Sequence, residues 1–352
     1  GSMTVAELDE AAHAVANGLL AMGVKGGDGV AILARNHRWF VIANFGASRV
    51  GARIILLNTE FSGPQIRDVS EREGAKVIVY DDEYSEAVKL AEPALGKLRA
   101  LSANPDKPDV PGGTDETLAE LIARSSKEPA PKVTKHSSVI ILTSGTTGTP
   151  KGANRKTPPT LAPVGGILSH VPFRSGEVTA LPSPMFHALG YLHATIASIL
   201  GSTLVLHRRF KPATVLEDVA RYRVTAIVVV PVMLSRMLDA LEAMETKPDL
   251  SSLKIVFVSG SQLGAELATR TMKDIGPVVY NLYGSTEIAF ASMSTRVSAR
   301  SGPASNRAEL ITRRSSSARW SSSAMSPLWR VWRSRTESFR GGSDGGSGGG
   351  CG

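Results

Sequence analysis

Apolar residues near the start of the chain recur at helical spacing and then give way to short unbroken runs. Leu8, Ala12, Val15, Leu19 and Met22 lie three or four positions apart, which predicts an amphipathic helix over 7–22 with Gly23 as its cap. The run 30–34 is short and apolar and reads as a buried strand. Helical spacing returns over 39–50, closed by Gly51, and 53–57 is strand again. Pro64 opens a further helix that stops before Gly74, because a proline in the first turn gives up an N–H that has no partner there. Strand follows over 76–80. Beyond residue 135 the rhythm resumes with a strand at Val139, a helix over 189–200, a strand over 203–207 and a helix over 213–222. Strand 226–230, helix 232–244, strand 254–258 and helix 266–274 complete it. Strands alternating with helices predict an α/β fold whose sheets are mostly parallel and flanked by helices.

The proline-rich stretch 105–135 breaks that alternation around one short helical patch near Leu118 and reads as a linker. The expected organisation is a cloning scar and start at 1–3, a first α/β unit at 4–104, the linker, and a second α/β unit at 136–294. A tail follows at 295–352, rich in arginine, serine and glycine and without sustained apolar periodicity, so disorder is the expectation there.

The candidate chemistry is concentrated after strands. Thr143, Ser144, Gly145, Thr146, Thr147, Gly148, Thr149, Pro150, Lys151 and Gly152 combine backbone freedom, hydroxyl donors and one cation, which suits an anion with several oxygens. The P-loop pattern G-x-x-x-x-G-K-[ST] fails here, since Pro150 stands where its second glycine belongs and Gly152 follows the lysine. Three further segments stand out: Pro184-Met185-Phe186-His187-Ala188-Leu189-Gly190, Val258-Ser259-Gly260-Ser261-Gln262-Leu263-Gly264, and Asn281-Leu282-Tyr283-Gly284-Ser285-Thr286-Glu287. In open α/β sheets ligands collect outside the carboxyl ends of the strands, so loops placed there can meet.

In order and in residues these segments resemble the adenylate-forming superfamily of acyl- and aryl-CoA synthetases, luciferases and peptide-synthetase adenylation domains. The first is similar to its T-S-G-T-T-G-x-P-K-G phosphate loop, the second to P-M-F-H-x-x-G, and the fourth to N-x-Y-G-x-T-E. The third departs from the usual S-G-G-A-P-L at Ser261 and Gln262. The likeness runs from about Thr4 to about Ser294. It implies the amino-terminal domain of such an enzyme, two packed and mostly parallel doubly wound sheets, with the small carboxy-terminal domain missing.

The resemblance also implies roles. Thr143, Ser144, Gly145, Thr146, Thr147, Gly148 and Lys151 would take the β- and γ-phosphates of ATP, Thr286 the α-phosphate, and Glu287 Mg²⁺. Asn281, Tyr283, Gly284, Gly260 and Ser261 would surround the adenine, and His187, Gly190, Val230, Pro231 and Gly260 the acid. His187, Lys151, Thr286 and Glu287 are the expected catalytic residues. The implied reaction joins a carboxylic acid, expected to be a fatty acid, to AMP and then to CoA as the second substrate. No T-G-D segment follows Glu287, and the sequence after about Ser294 reads as out-of-frame translation, so this chain is expected to be an incomplete version with impaired activity. Rival readings are an adenylation domain for an amino or aryl acid and a non-catalytic nucleotide-binding fragment. His187 disfavours a peptide-synthetase domain, because it occupies a segment where those domains carry F-D-x-S.

Charge narrows the remaining choices. The formal net charge is +8, but ten arginines and three acids lie from Arg296 onward, while earlier residues carry 30 basic and 29 acidic side chains. Nucleic acid is therefore not an expected partner of the body, and RNA binding through the tail is the least favoured reading. No uncharged apolar run reaches the roughly 18 residues that span a bilayer. A cytoplasmic protein is expected, with peripheral membrane contact left open and oligomeric state unread. Cys351 is the only cysteine, so thiolate catalysis and cysteine-ligated metal are excluded from the body.

Overall fold

The computed structural model describes residues 1–100, 115–133, 136–143, 151–153, 162–283 and 292–294. The amino-terminal helix α1 (Val5–Ala21) starts where its sequence says it should. Thr4 and Glu7 exchange side-chain and backbone hydrogen bonds, with Glu7 N–H donating to Thr4 Oγ1 at 3.2 Å and Thr4 N–H to Glu7 Oε2 at 2.6 Å. This reciprocal cap satisfies donors that the first turn leaves free. The same device opens α5 (Leu118–Arg124) through Thr117 and Glu120.

Two six-stranded sheets form the frame. The first contains β1 (Gly29–Leu33), β2 (Arg53–Leu56), β3 (Ala75–Asp81), β4 (Gly96–Ala100), β5 (Ser138–Thr143) and β6 (Lys151–Ala153), ordered β4-β3-β1-β2-β5-β6. The second contains β7 (Val178–Leu181), β8 (Thr203–Leu206), β9 (Ala226–Val229), β10 (Ile255–Val258), β11 (Val279–Tyr283) and β12 (Ser292–Ser294), ordered β12-β11-β10-β9-β7-β8. Every neighbouring pair is parallel except β5 with β6 and β11 with β12, each of which adds an antiparallel edge.

Side-chain alternation along these strands sorts the core into layers. One face of the first sheet, including Ala31, Leu33, Ile55 and Ile78, packs on α3 (Gly63–Arg72) through Ile66 and Val69. Its other face, with Ile32, Leu56 and Val79, shares one core with Val228, Phe257 and Leu282 of the second sheet. Helices α1, α2 (Arg38–Arg49) and α7 (Ala188–Leu200) contribute to that shared core. The outer face of the second sheet is covered by α8 (Pro212–Tyr222), α9 (Pro231–Ala243) and α10 (Ala265–Asp274). Short helices α4 (Ser85–Val88) and α6 (Ala162–Leu168) and a 3₁₀ turn at Asp82–Tyr84 complete the described elements.

Two features differ from the sequence reading. The boundary at 136 does not separate the sheets: β5 pairs with β2 from Arg53↔Ser138 to Leu56↔Ile141, so 138–143 and 151–153 belong to the first sheet. An apolar β-branched run states that it will be buried, not which strand it will join. The second difference is the presence of elements that the apolar pattern did not single out, namely the strands β4, β6, β7 and β12 and the short helices α4 and α6. The tail at 295–352 lies outside the described residues. No helix among the described residues is long and apolar enough to cross a membrane.

The two units are also tied by charge. Glu83 accepts from Arg35 Nε of its own unit at 2.9 Å, and from Arg208 and Arg209, just past β8, at 2.8 and 3.0 Å. Burial alone would raise its pKa, but the three guanidinium groups outweigh that and hold the carboxyl below its ordinary value. Glu83→Gln is expected to cost about 1 kcal/mol, the range of partly exposed ion pairs, and the difference in urea midpoint from wild type should shrink in high salt.

Candidate active site

The strands that lead into the candidate motifs run parallel to their neighbours, so their carboxyl ends lie along one edge of each sheet. In the second sheet β9 ends at Val229 and continues into Val230 and Pro231, the start of α9, where a proline costs no hydrogen bond. Beside it β10 ends at Val258 and turns at Gly260, and next to that β11 ends with Asn281, Leu282 and Tyr283. Gly260 has φ +97°, and a Cβ there would sit 3.1 Å from Val230 Cγ1. The turn therefore needs glycine, and it lays the two motifs against each other. Ser259 Oγ donates to Leu282 O at 2.9 Å and stitches the β10 turn to β11. Ser261 is exposed on that turn.

Asn281 shows what this corner lacks. Its side-chain oxygen is buried and has no hydrogen-bond partner among the described residues. An amide oxygen left so is costly unless something donates to it. An amino group of the kind an adenine carries is a donor that this oxygen would accept if the corner opened to it.

His187 ends the segment that follows β7 and stands at the cap position of α7, in extended conformation. His187 is an exposed residue, but the protein packed beside it still withdraws part of its hydration. That desolvation lowers its pKa and favours the neutral imidazole. Phe186 packs against it with ring centroids 4.4 Å apart. Gly190, three residues on, is buried against the backbone of Pro184. A cavity of about 230 Å³ opens beside this segment between the two units, lined by Arg35, Asn36, Pro184, Phe186, Arg208 and Met233 among others.

In the first sheet, Thr143 at the end of β5 pairs antiparallel with Lys151 at the start of β6. The phosphate-loop motif thus leaves the sheet edge and returns to it. Ser144, Gly145, Thr146, Thr147 and Gly148, between those ends, lie outside the described residues, as do Gly284, Thr286 and Glu287. For Thr143, Lys151 and Tyr283 the backbone is placed and the side chain is not described. Asn36 is the residue that the sequence reading missed. It has no motif and no periodic signal, yet it links the edge of the first sheet to the segment bearing His187.

Comparison with known proteins agrees with this architecture. The family described as AMP-binding enzyme matches residues 1–312. A feruloyl-CoA synthase from Amycolatopsis sp is 30% identical over 295 residues, covering 82% of this chain and 55% of that protein. A long-chain-fatty-acid–CoA ligase, FadD13, from Mycobacterium tuberculosis is 28% identical over 239 residues, covering 67% of this chain and 46% of its own length. The chain thus spans about half the length of the curated relatives it matches. Among solved structures, the N-terminal domain of FACL13 from Mycobacterium tuberculosis superposes with a TM-score of 0.69 at 23% identity, over 83% of this chain and 71% of that one. The amide bond synthetase McbA from Marinactinospora thermotolerans gives 0.71 at 24% identity, over 84% and 58%. At those identities the two structures bear on the fold.

Proposed function

The chain belongs to the AMP-binding enzyme family, and from that premise we propose that it takes part in ATP-dependent activation of a carboxylic acid, first to acyl-AMP with release of pyrophosphate and then to acyl-CoA. One observation carries the reading. The β9, β10 and β11 motifs leave neighbouring parallel strands side by side at one edge of the second sheet, and Asn281 lies within that edge with a buried side-chain oxygen that has no hydrogen-bond partner among the described residues. Relatives named for ferulate and for long-chain fatty acids both support an acid with a large apolar part. We favour a fatty acid, with an aryl acid as the alternative. ATP and CoA as substrates accord with a cytoplasmic protein.

In this proposal the adenine rests by Asn281, Tyr283, Gly284, Gly260 and Ser261, and the acid lies by His187, Gly190, Val230 and Pro231. A neutral His187 would spare an apolar acid a charged wall. The loop from Thr143 to Lys151 would hold the β- and γ-phosphates by hydroxyls, backbone N–H groups and one ammonium. Those donors act by stabilising charge that develops on the departing pyrophosphate and by positioning the α-phosphorus for attack. Thr286 on the α-phosphate and Glu287, a hard oxygen ligand of the kind Mg²⁺ takes, complete it.

The test is exchange of labelled pyrophosphate into ATP, run with octanoate, ferulate and phenylalanine. Acid-dependent exchange with octanoate or ferulate is expected at a rate far below that of a full-length relative, in keeping with the impaired activity read from the sequence. A preference for phenylalanine would move the chain to the amino-acid reading, and ATP binding without exchange for any acid would leave a nucleotide-binding fragment. Lys151→Ala should weaken ATP about tenfold while leaving adenosine unchanged, as loss of one charge-assisted contact to phosphate predicts. Calorimetric titration of both ligands checks this.

A further inference from the structure

The segment that brings His187 to the cleft is poor in hydrogen-bond donors of its own. Between the end of β7 at Leu181 and Met185 it contains Pro182 and Pro184, neither of which has an N–H. Its shape therefore depends on partners from outside. Asn36, in the turn between β1 and α2 of the first sheet, meets three of its backbone groups. The Asn36 amide nitrogen donates to Leu181 O at 3.0 Å and to Ser183 O at 2.8 Å, and its oxygen accepts from Met185 N–H at 2.7 Å. Only 3% of Asn36 is exposed. Both of its N–H donors and its carbonyl are engaged at once, a pattern that only a primary amide of this length supplies.

What Asn36 holds passes directly to the candidate acid site. His187 N–H donates to Pro184 O at 3.2 Å, and Tyr191 N–H donates to His187 O at 2.9 Å, so the held segment runs without slack into the first turn of α7. Gly190 has no room for a side chain against Pro184 O. One turn along, Tyr191 Oη donates to Asn44 Oδ1 on α2 at 3.0 Å. The first sheet therefore grips the His187 segment at two points, before and after the imidazole.

We propose that Asn36 is a positioning residue for acyl activation, setting the place of His187 and the first turn of α7 relative to the nucleotide edge. This rests on the reading of that cleft as the acid site. A purely structural asparagine would, on removal, weaken every ligand alike. A positioning asparagine separates ligands that reach the His187 segment from those that do not.

The experiment uses the full 352-residue chain with Asn36→Ala, the milder Asn36→Ser, and Ile66→Val as a control that loosens the far face of the first sheet. Calorimetric titration would compare ATP with octanoyl- and feruloyl-sulfamoyl adenosine, stable mimics of an acyl-AMP. Both Asn36 variants should bind the acyl mimics about tenfold more weakly while ATP stays within twofold, and Ile66→Val should leave the ratio unchanged. Equal losses for ATP and mimics, or no loss, would overturn the assignment. A second readout needs no ligand: the imidazole nitrogen resonances of His187, assigned with His187→Gln, should move in Asn36→Ser while those of exposed His170 stay in place. Wild type that binds ATP but neither mimic would sink the acid-site reading. In that case moved His187 resonances would still support positioning by Asn36, and unmoved ones would overturn it as well.

Discussion

Between pH 7 and pH 5 the protein is expected to lose about 2 kcal/mol of stability that a His193→Leu variant retains. His193 lies on α7, fully within the core shared by the two sheets, with 1% of its surface exposed. Its ring centroid is 4.2 Å from that of Phe257 and 5.8 Å from that of Phe173. Nδ1 sits 2.9 Å from Leu189 O and must carry the proton to bond it, while Nε2 is buried without a partner among the described residues. A second proton would place a charge among aromatic and aliphatic groups. Desolvation therefore pushes the pKa down to about 4, against a smaller opposing contribution from the bond to Leu189. The folded pKa lies below the unfolded one, so between the two values the unfolded chain binds the proton and the folded chain does not. Stability conferred by the neutral ring is then present above the ordinary histidine pKa and drains away as pH falls toward 4, reaching about 3 kcal/mol there. Carboxylates titrating over the same range do so in both proteins and cancel in the difference. Denaturant unfolding of both proteins at pH 7, 6 and 5 checks this, and parallel pH profiles would show that His193 is not the titrating group.

Histidine burial of this kind was only partly legible. The helical spacing over 189–200 announces α7 and its apolar face, and the structure starts that helix one residue earlier, at Ala188. Most predicted helices and strands appear within a residue or two of their expected limits, because spacing, prolines and capping residues are local signals that survive without knowledge of the partner surface. The strands β4 and β7 were missed for a local reason too. Gly96-Lys97-Leu98-Arg99-Ala100 and Val178-Thr179-Ala180-Leu181 are short and mix polar with small residues, so neither has the apolar density of 226–229 or 255–258. Placing β5 in the first sheet required knowing its neighbour, which is a tertiary fact. The site divides the same way. The order of its motifs can be read along the chain, and the structure lays the Val230, Gly260 and Asn281 segments side by side. Asn36 could not be read, because one asparagine in a turn is ordinary until the segment opposite it proves to lack donors.

Adding a single methyl group at Gly190 is expected to destabilise the protein by about 3 kcal/mol, whereas the same change at Gly166 should stabilise it by up to about 1 kcal/mol. Both glycines lie in helices, where alanine is intrinsically preferred because glycine loses more backbone freedom on folding. Their surroundings decide the sign. At Gly166 a Cβ would meet nothing within 4 Å among the described residues, so only the propensity gain remains. At Gly190 it would fall 2.2 Å from Pro184 O and 2.8 Å from Ser183 O. Both are backbone atoms of the segment that Asn36 holds, and neither can swing aside as the end of a flexible side chain could. Relief requires α7 to move off that segment or the segment to break its bonds to Asn36, and either displaces His187. Gly190→Ala should therefore lower the thermal midpoint and also impair binding of an acyl-sulfamoyl adenosine more than binding of ATP, with Gly166→Ala raising the midpoint and changing neither ligand. A Gly190→Ala protein as stable as wild type would show that the first turn of α7 has freedom to retreat, and the close approach of helix and proline segment would no longer explain how the cleft is held in shape.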